Sequence, residues 1–386
     1  MLALDERRRA LLPELEGLRA RQNEASQAIA RAKQAGEAAE AAIAEMRAVA
    51  GRAKALAEEL AAVEAELGST LAGLPNLPAE GAPAQDTVLR EVGESGRAGR
   101  DHLELAGPMI DMETAAKLSG SRFAYLKGDL VMVELALVRY ALETARDHGF
   151  EPVVPPVLVR EPALFGTGFL PDTEQQLYHL PEDDLYLVGT SEVALASLHA
   201  DQTLDEAALP LRYAGFSPCF RREAGAAGKD TRGLFRVHQF DKVELFSFVL
   251  PEESEAEHER LLAIEEGILG ELGIPYRVVD IAVDELGSSA ARKYDCEAWL
   301  PGQGRYRELT SCSNTTDYQA RRLDVRCRPA GGSPRMVHTL NGTAVAVGRT
   351  LIALLENGQR DDGVVELPEC LVRSGAPALL SAGASA

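Results

Sequence analysis

The first 71 of the 386 residues contain no aromatic side chain, and nowhere does the chain approach 18 uninterrupted apolar residues. The second absence excludes a membrane-spanning helix. Met1 opens on Leu2-Ala3-Leu4-Asp5-Glu6-Arg7, without the basic start and apolar run of a signal peptide. Cys219, Cys296, Cys312, Cys327 and Cys370 are odd in number, far apart and never in a Cys-x-x-Cys pair, which argues against a disulfide framework and a zinc ribbon. These absences predict a cytoplasmic protein with reduced thiols, no zinc and no membrane partner. Neither G-x-x-x-x-G-K-[ST] nor a strand-linked G-x-G-x-x-G occurs, so any use of ATP needs another geometry.

What is present is the balance of a globular protein, 46% hydrophobic and 26% charged, in a chain long enough for two or three units. The net charge of -20 opposes a surface coated in nucleic acid. Its distribution is uneven. Residues 1–73 carry ten basic and twelve acidic side chains, leaving -18 for the other 313 residues, and the first helical stretch alone has seven basic against five acidic. A local phosphate-facing stripe on an acidic body is one consequence to test.

Up to about Leu71 the chain is mostly Ala, Glu, Leu and Arg, the strongest helix formers. Apolar residues recur at steps of four and three through Leu11, Leu15, Leu18, then Ala25, Ile29, Ala32, and again through Leu56, Leu60, Val63, Leu67. Lys33-Gln34-Ala35-Gly36-Glu37 separates the two stretches, and its glycine suits a helix end, so the pattern predicts an antiparallel helical hairpin over 1–73. A helix of about 35 residues rises roughly 50 Å, which predicts a projecting arm. The heptads alone fit a dimerising coiled coil and a binding arm equally well. Pro13 requires a kink or a place in the first helical turn. The proline and glycine cluster from Gly73 to Pro83 reads as a linker, 74–86, before a second domain over 87–386.

In that second part, helical periodicity runs from Lys127 to His148 and ends at Gly149, and Glu255–Leu272 is amphipathic. Thr343–Glu356 reads as a buried helix. Strands are expected at Pro152–Val159, Leu185–Val188, Leu211–Ala214, Phe235–Phe240, Lys242–Val249, Tyr276–Ile281, Ala298–Leu300 and Arg305–Thr310. Sequential strands without regular helical crossovers predict a mainly antiparallel sheet, hence an α+β fold.

The densest chemistry is Phe220-Arg221-Arg222-Glu223, a glycine-bearing loop from Ala224 to Gly233, and Arg236-Val237-His238-Gln239-Phe240. Arginine forks suit phosphate oxygens, an aromatic face suits a base, and a carboxylate accepts from an exocyclic amine. On composition alone a charged surface hairpin serves as well. The spacing, however, resembles motif 2 of the class II aminoacyl-tRNA synthetases. Gly149-Phe150-Glu151-Pro152-Val153-Val154-Pro155-Pro156, within about 127–159, resembles motif 1, and Asn341-Gly342-Thr343-Ala344-Val345-Ala346-Val347-Gly348-Arg349, within 341–356, resembles motif 3. Intervening strings such as Thr190-Ser191-Glu192, Glu308-Leu309-Thr310-Ser311-Cys312-Ser313-Asn314 and His338-Thr339-Leu340-Asn341-Gly342-Thr343 are similar to the bacterial seryl-tRNA synthetase family in particular. The likeness covers nearly the whole chain, with an arm shortened at its N-terminus and Ala344 and Ala346 where the class commonly has glycine.

That resemblance implies a class II antiparallel sheet flanked by helices, preceded by a tRNA-gripping arm. It implies ATP-dependent activation of L-serine and its transfer to serine tRNA, with selenocysteine tRNA as a further acceptor, by a cytoplasmic homodimer. Arg221, Arg236 and Arg349 would be catalytic, Arg221 at the α-phosphate and the other two at the terminal phosphates. Arg222, Glu223, Val237, Phe240, Leu309 and Thr310 would complete the ATP site, with Glu223 on the adenine amino group and Phe240 stacking opposite Arg349. Glu308 and Ser311 would hold magnesium. Thr190, Ser191, Glu192, Glu244, Asn341 and Thr343 would bind serine, and Arg19, Arg21, Arg31 and Lys33 would meet tRNA. His179, His199, His238 and His338 have no metal-ligand spacing. The competing reading is a paralogue that activates an amino acid for a carrier protein or a natural-product pathway; such homologues commonly lack the arm and place a zinc-binding cysteine in the pocket.

Overall fold

The computed structural model describes residues 1–36, 38–171, 176–224, 230 and 232–381. Glu37 and most of the glycine-bearing loop, residues 225–229 and Thr231, lie outside them. The chain divides into two compact units, Met1–Leu74 and Pro75–Ala386.

The first unit is two helices, α1 (Leu2–Ala35) and α2 (Glu40–Ala72). Leu11, Leu15 and Leu18 pack with Ala53, Leu56, Leu60 and Val63, the seam that the heptads predict. Cross-helix pairs descend on one helix as they climb the other, Arg7 to Glu59, Arg52 to Glu14 at 2.5 Å and Arg21 to Glu45 at 3.5 Å, so the hairpin is antiparallel. Gly36 ends α1 at φ 73°, its amide reaching the carbonyls of Ala32 and Lys33. Pro13 lies in the interior of α1 and not in its first turn.

The second unit is built on an eight-stranded sheet. Its strands are β1 (Thr87–Val92), β2 (Glu151–Val153), β3 (Leu211–Phe220), β4 (Gln239–Val249), β5 (Tyr276–Asp280), β6 (Arg292–Leu300), β7 (Arg305–Thr316) and β8 (His338–Ala346). The order is β1-β5-β6-β7-β8-β4-β3-β2, antiparallel throughout except that β2 runs parallel to β3. Three helices cover it: α3 (Asp129–Asp147), α4 (Ser254–Glu271) and α5 (Val347–Asn357). Leu130, Val133 and Leu137 of α3, Leu261, Ile264 and Ile268 of α4, and Leu351, Ile352 and Leu355 of α5 join Val243, Leu245, Val278, Leu300 and Leu340 of the sheet in one core. Burial of these aliphatic faces is the main stabilising term. Cys296 and Cys312 are part of that core, and all five cysteines are free and buried.

Three expectations shift. Thr343–Ala346 is strand and the helix starts at Val347, because these residues pair with β4. Phe235 and Val237 precede the strand, which begins at Gln239, and their side chains turn into a cleft. Pro152–Val159 breaks at Pro155-Pro156, which lack ladder donors, into β2 and a short strand Leu158–Val159. Within the second unit, Asn76 ties down the stretch read as a linker: its amide nitrogen donates to the carbonyls of Ser289 at 2.9 Å and Thr315 at 2.8 Å. Among the described residues no helix is long and apolar enough to cross a membrane.

Candidate active site

β3 and β4 run side by side and end at Phe220 and begin at Gln239, so the residues just beyond the turn project from one edge of the sheet. Arg221 donates from Nε to the Gly189 carbonyl at 3.1 Å, and its guanidinium stands 5.3 Å from the Phe240 ring centre. Arg236 donates to Glu223 at 2.6 Å. Arg349, in the first turn of α5, donates to the Glu308 carbonyl at 3.1 Å and lies 3.3 Å from its carboxylate. These groups line one cleft with about 620 Å³ of empty space, together with Val237, Phe240, Lys242, Leu309, Thr310, Ser311 and Thr343. Three arginines, two carboxylates and aromatic walls suit a nucleotide polyphosphate.

Two bulges decide which side chains face this cleft. In the β6–β7 ladder Asp295 pairs Ser311 and Glu297 pairs Glu308, leaving Leu309 as an extra residue. Asp295 and Glu297 share a face by the period of two, and so therefore do Glu308 and Ser311, although they lie three positions apart. In the β4–β8 ladder Glu244 pairs Thr343 and Val243 pairs Val345, with Ala344 extra. Thr343 thus stands directly across from Glu244.

Behind the cleft a buried polar cluster forms. Glu244 is paired with Lys242 and accepts from the Thr190 hydroxyl at 2.8 Å. Glu192 accepts from Gln319 at 2.7 Å and from Asn341 at 3.0 Å. Burial, reinforced by the nearby Glu244 charge, pushes the Glu192 carboxyl up to about 7. Asp295 is likewise pushed up to about 7 by burial and by Glu308, against the pull of Lys293. Glu308 goes the other way: burial opposes its ionisation, but Arg349, Lys293 and Arg221 outweigh it and hold the carboxyl below its usual range. An ionised oxygen donor and the Ser311 hydroxyl on one cleft wall fit a hard cation that brings further ligands of its own. Among the described residues no group of three His, Cys, Asp or Glu side chains is arranged to hold a metal by itself.

The structure therefore brings Arg221, Glu223, Arg236, Val237, Phe240, Glu308, Leu309, Thr310, Ser311, Thr343 and Arg349 to one cleft, and Thr190, Glu192, Glu244 and Asn341 to the cluster behind Lys242. Arg222 is exposed and absent from the cleft wall, and Ser191 is fully buried with its hydroxyl 3.3 Å from the Gly215 carbonyl. The guanidinium facing Phe240 is that of Arg221; Arg349 lies over Phe235, at 4.7 Å. Sequence reasoning assigned no role to Lys242, Phe235 or Gln319. Lys242 was within reach of it, since a residue two before Glu244 on a strand shares its face. Phe235, which also carries Arg307 at 3.6 Å, and Gln319 are placed by contacts distant in sequence.

In the first unit Arg19, Arg21, Arg31 and Lys33 are all exposed on α1. At about 100° per residue Arg19 and Arg21 point to nearly opposite sides, about 160° apart, so the four do not form a single stripe.

Comparison with known proteins places these features in context. The family model described as the seryl-tRNA synthetase N-terminal domain matches residues 1–78, and that of the tRNA synthetase class II core domain (G, H, P, S and T) matches residues 177–358. A curated serine–tRNA ligase of Thermobifida fusca is 50% identical over 380 residues, 96% of this chain and 89% of the relative. One from Streptomyces coelicolor is 51% identical over 383 residues, again 96% and 89%. The crystal structure of seryl-tRNA synthetase from Pyrococcus horikoshii complexed with ATP matches with a TM-score of 0.90 at 40% identity, covering 98% of this chain and 92% of that one.

Proposed function

The chain belongs to the seryl-tRNA synthetase family, and from that premise we infer how its own residues carry out serine activation and tRNA charging. It is a class II aminoacyl-tRNA synthetase: the carboxylate of serine attacks the α-phosphorus of ATP, pyrophosphate leaves, and the 3′ hydroxyl of tRNA then displaces AMP from the seryl group. The observation that carries the site reading is the contiguity of the arginine cleft with the Lys242–Glu244–Thr190 cluster, since the two substrates must meet end to end.

No side chain need act as nucleophile, so the protein positions and stabilises charge. Arg221 is assigned to the α-phosphate, held by Gly189 and backed by Phe240. Arg236 and Arg349 take the terminal phosphates, and Glu223 orients Arg236 and accepts from the adenine amine. Glu244 pairs with the serine ammonium, with Thr190 and Thr343 beside it to bind hydroxyl and amine. Glu308 and Ser311 would hold magnesium, which supplies neutralisation of phosphate charge when bound with ATP. Contact with tRNA is assigned to the first unit, through Arg19, Arg21, Arg31 and Lys33.

The active form is read as a homodimer joined through α3 and the β2 region, where Met132 and Leu135 of α3 and Val154, just past β2, are exposed at 47%, 55% and 80%. The compartment is read as the cytoplasm, where tRNA is charged. Activation for a carrier protein is not favoured, because the N-terminal family match and a pocket of Thr190, Glu244 and Thr343 are the opposite of what that reading requires. The decisive experiment is ATP–pyrophosphate exchange across the amino acids followed by transfer to tRNA: exchange specific for serine is expected, and exchange with a different amino acid would overturn the reading.

A further inference from the structure

The carboxyl of Glu265, on α4, sits where two strands of the sheet part. β7 and β8 are paired as far as Cys312 opposite Gly342, and among the described residues no ladder register continues beyond that pair toward the cleft. The next residue of β8 is Thr343, and its amide is taken by Glu265 Oε1 at 2.9 Å instead of by a strand. On its other edge β8 carries the extra residue Ala344, so the backbone here is set by neither ladder in the ordinary way. Gly342 makes room for the carboxyl: a Cβ there would stand 3.0 Å from Glu265 Oε1 and 3.4 Å from Cys312. Glu265 itself has no exposed surface. Burial pushes its carboxyl well above the usual range, with Glu244 and Asp295 adding to the effect against the Thr343 amide, and its second oxygen, Oε2, has no hydrogen-bond partner among the described residues.

We propose that Glu265 is a positioning residue for serine selection: its carboxyl replaces the missing strand partner of Thr343 and holds that residue across from Glu244, setting the hydroxyl-reading geometry from behind. A buried amide left without an acceptor forces the strand to find another, and any slip re-aims Thr343. Glu265 does not itself line the nucleotide cleft and reaches it through the Thr343 amide, across from Glu244, so a larger effect is expected on serine than on ATP. The inference rests on the serine reading of the pocket. A parent enzyme without serine-dependent pyrophosphate exchange would sink that reading, whereas the variants below test only Glu265.

Glu265→Gln keeps an acceptor oxygen and is expected to stay near the parent. Glu265→Met removes it and is expected to raise the KM for serine about tenfold or more, leave the KM for ATP within about twofold, and narrow the preference for serine over alanine. Should that variant not fold, Glu265→Asp withdraws the carboxyl by one methylene and is expected to raise the serine KM alone. An unchanged serine KM and preference in the folded Met or Asp variant overturns the proposal. So does a parallel rise of both KM values with a lowered Tm, which marks a merely structural role, and so does a Gln variant as impaired as Met, which denies the acceptor role.

Discussion

Lys242 and Glu244, two residues apart on β4, face the same way and close on each other as an ion pair buried behind the nucleotide cleft, with 9% and 1% of their surfaces exposed. The Thr190 hydroxyl adds a hydrogen bond to Glu244 at 2.8 Å. A buried carboxylate paired with a single lysine ammonium is well placed to exchange part of that pairing for a substrate ammonium. Glu244→Gln deletes the charge while keeping the shape. Charge-assisted hydrogen bonds are worth about 1.5–3 kcal/mol, so the serine KM is expected to rise about 10- to 100-fold in pyrophosphate exchange. A KM within about threefold of the parent would remove Glu244 from the serine site.

Arg221→Ala is expected to cut the exchange rate by roughly 10²-fold or more, the cost of one preorganised contact to developing charge, about 3 kcal/mol. The side chain is held by the Gly189 carbonyl and Phe240, so it is in place before substrate arrives. Retention of most of the exchange rate would show that another group stabilises the α-phosphate.

Glu192 predicts a pH effect on stability. Its folded-state pKa is raised to about 7 by burial and Glu244, so between the ordinary carboxylate range and about pH 7 the folded state binds the proton more tightly than the unfolded state. Stability from this group is therefore fully present below the ordinary carboxylate range and is lost as pH rises to about 7, at a slope of roughly 1.4 kcal/mol per pH unit at most. Glu192→Gln should flatten that part of the Tm-against-pH curve. An identical slope in parent and variant would exclude Glu192 as its source.

The exposed Leu135 and Val154 predict the oligomeric state. Light scattering at micromolar concentration should return a dimer, and Leu135→Glu with Val154→Asp should shift it toward monomer. A parent that is monomeric there would refute the assigned interface.

Replacing Arg19, Arg21, Arg31 and Lys33 together by alanine should leave pyrophosphate exchange unchanged and weaken transfer to tRNA, with a shallower dependence on salt. Among the described residues only Arg21 of the four pairs across the hairpin, to Glu45 at 3.5 Å and in the open, a pair worth little to stability. Because the four residues do not share a face of α1, single substitutions should each have a small effect. Unaltered transfer by the quadruple variant would exclude them as phosphate contacts.

Much of this protein was legible in local pattern. The hairpin follows from leucines spaced by four and three and from Gly36, whose left-handed backbone ends α1 where a chain of helix formers otherwise had no reason to stop. Arg221, Glu223, Arg236 and Arg349 stand out because charged forks beside strand ends have few structural uses, and they do meet in one cleft. What the sequence could not determine is which side chains share a face once a ladder is interrupted. Leu309 and Ala344 look like ordinary strand residues, yet each is the extra residue of a bulge, and those bulges bring Glu308 beside Ser311 and Thr343 opposite Glu244. Bulges arise from pairing between strands remote in sequence, as do the Glu265 bond to the Thr343 amide and the seat of Phe235 between Arg307 and Arg349. Residue chemistry is a local property that the sequence states outright; the direction in which that chemistry points is set by long-range pairing, and only the tertiary structure decides it.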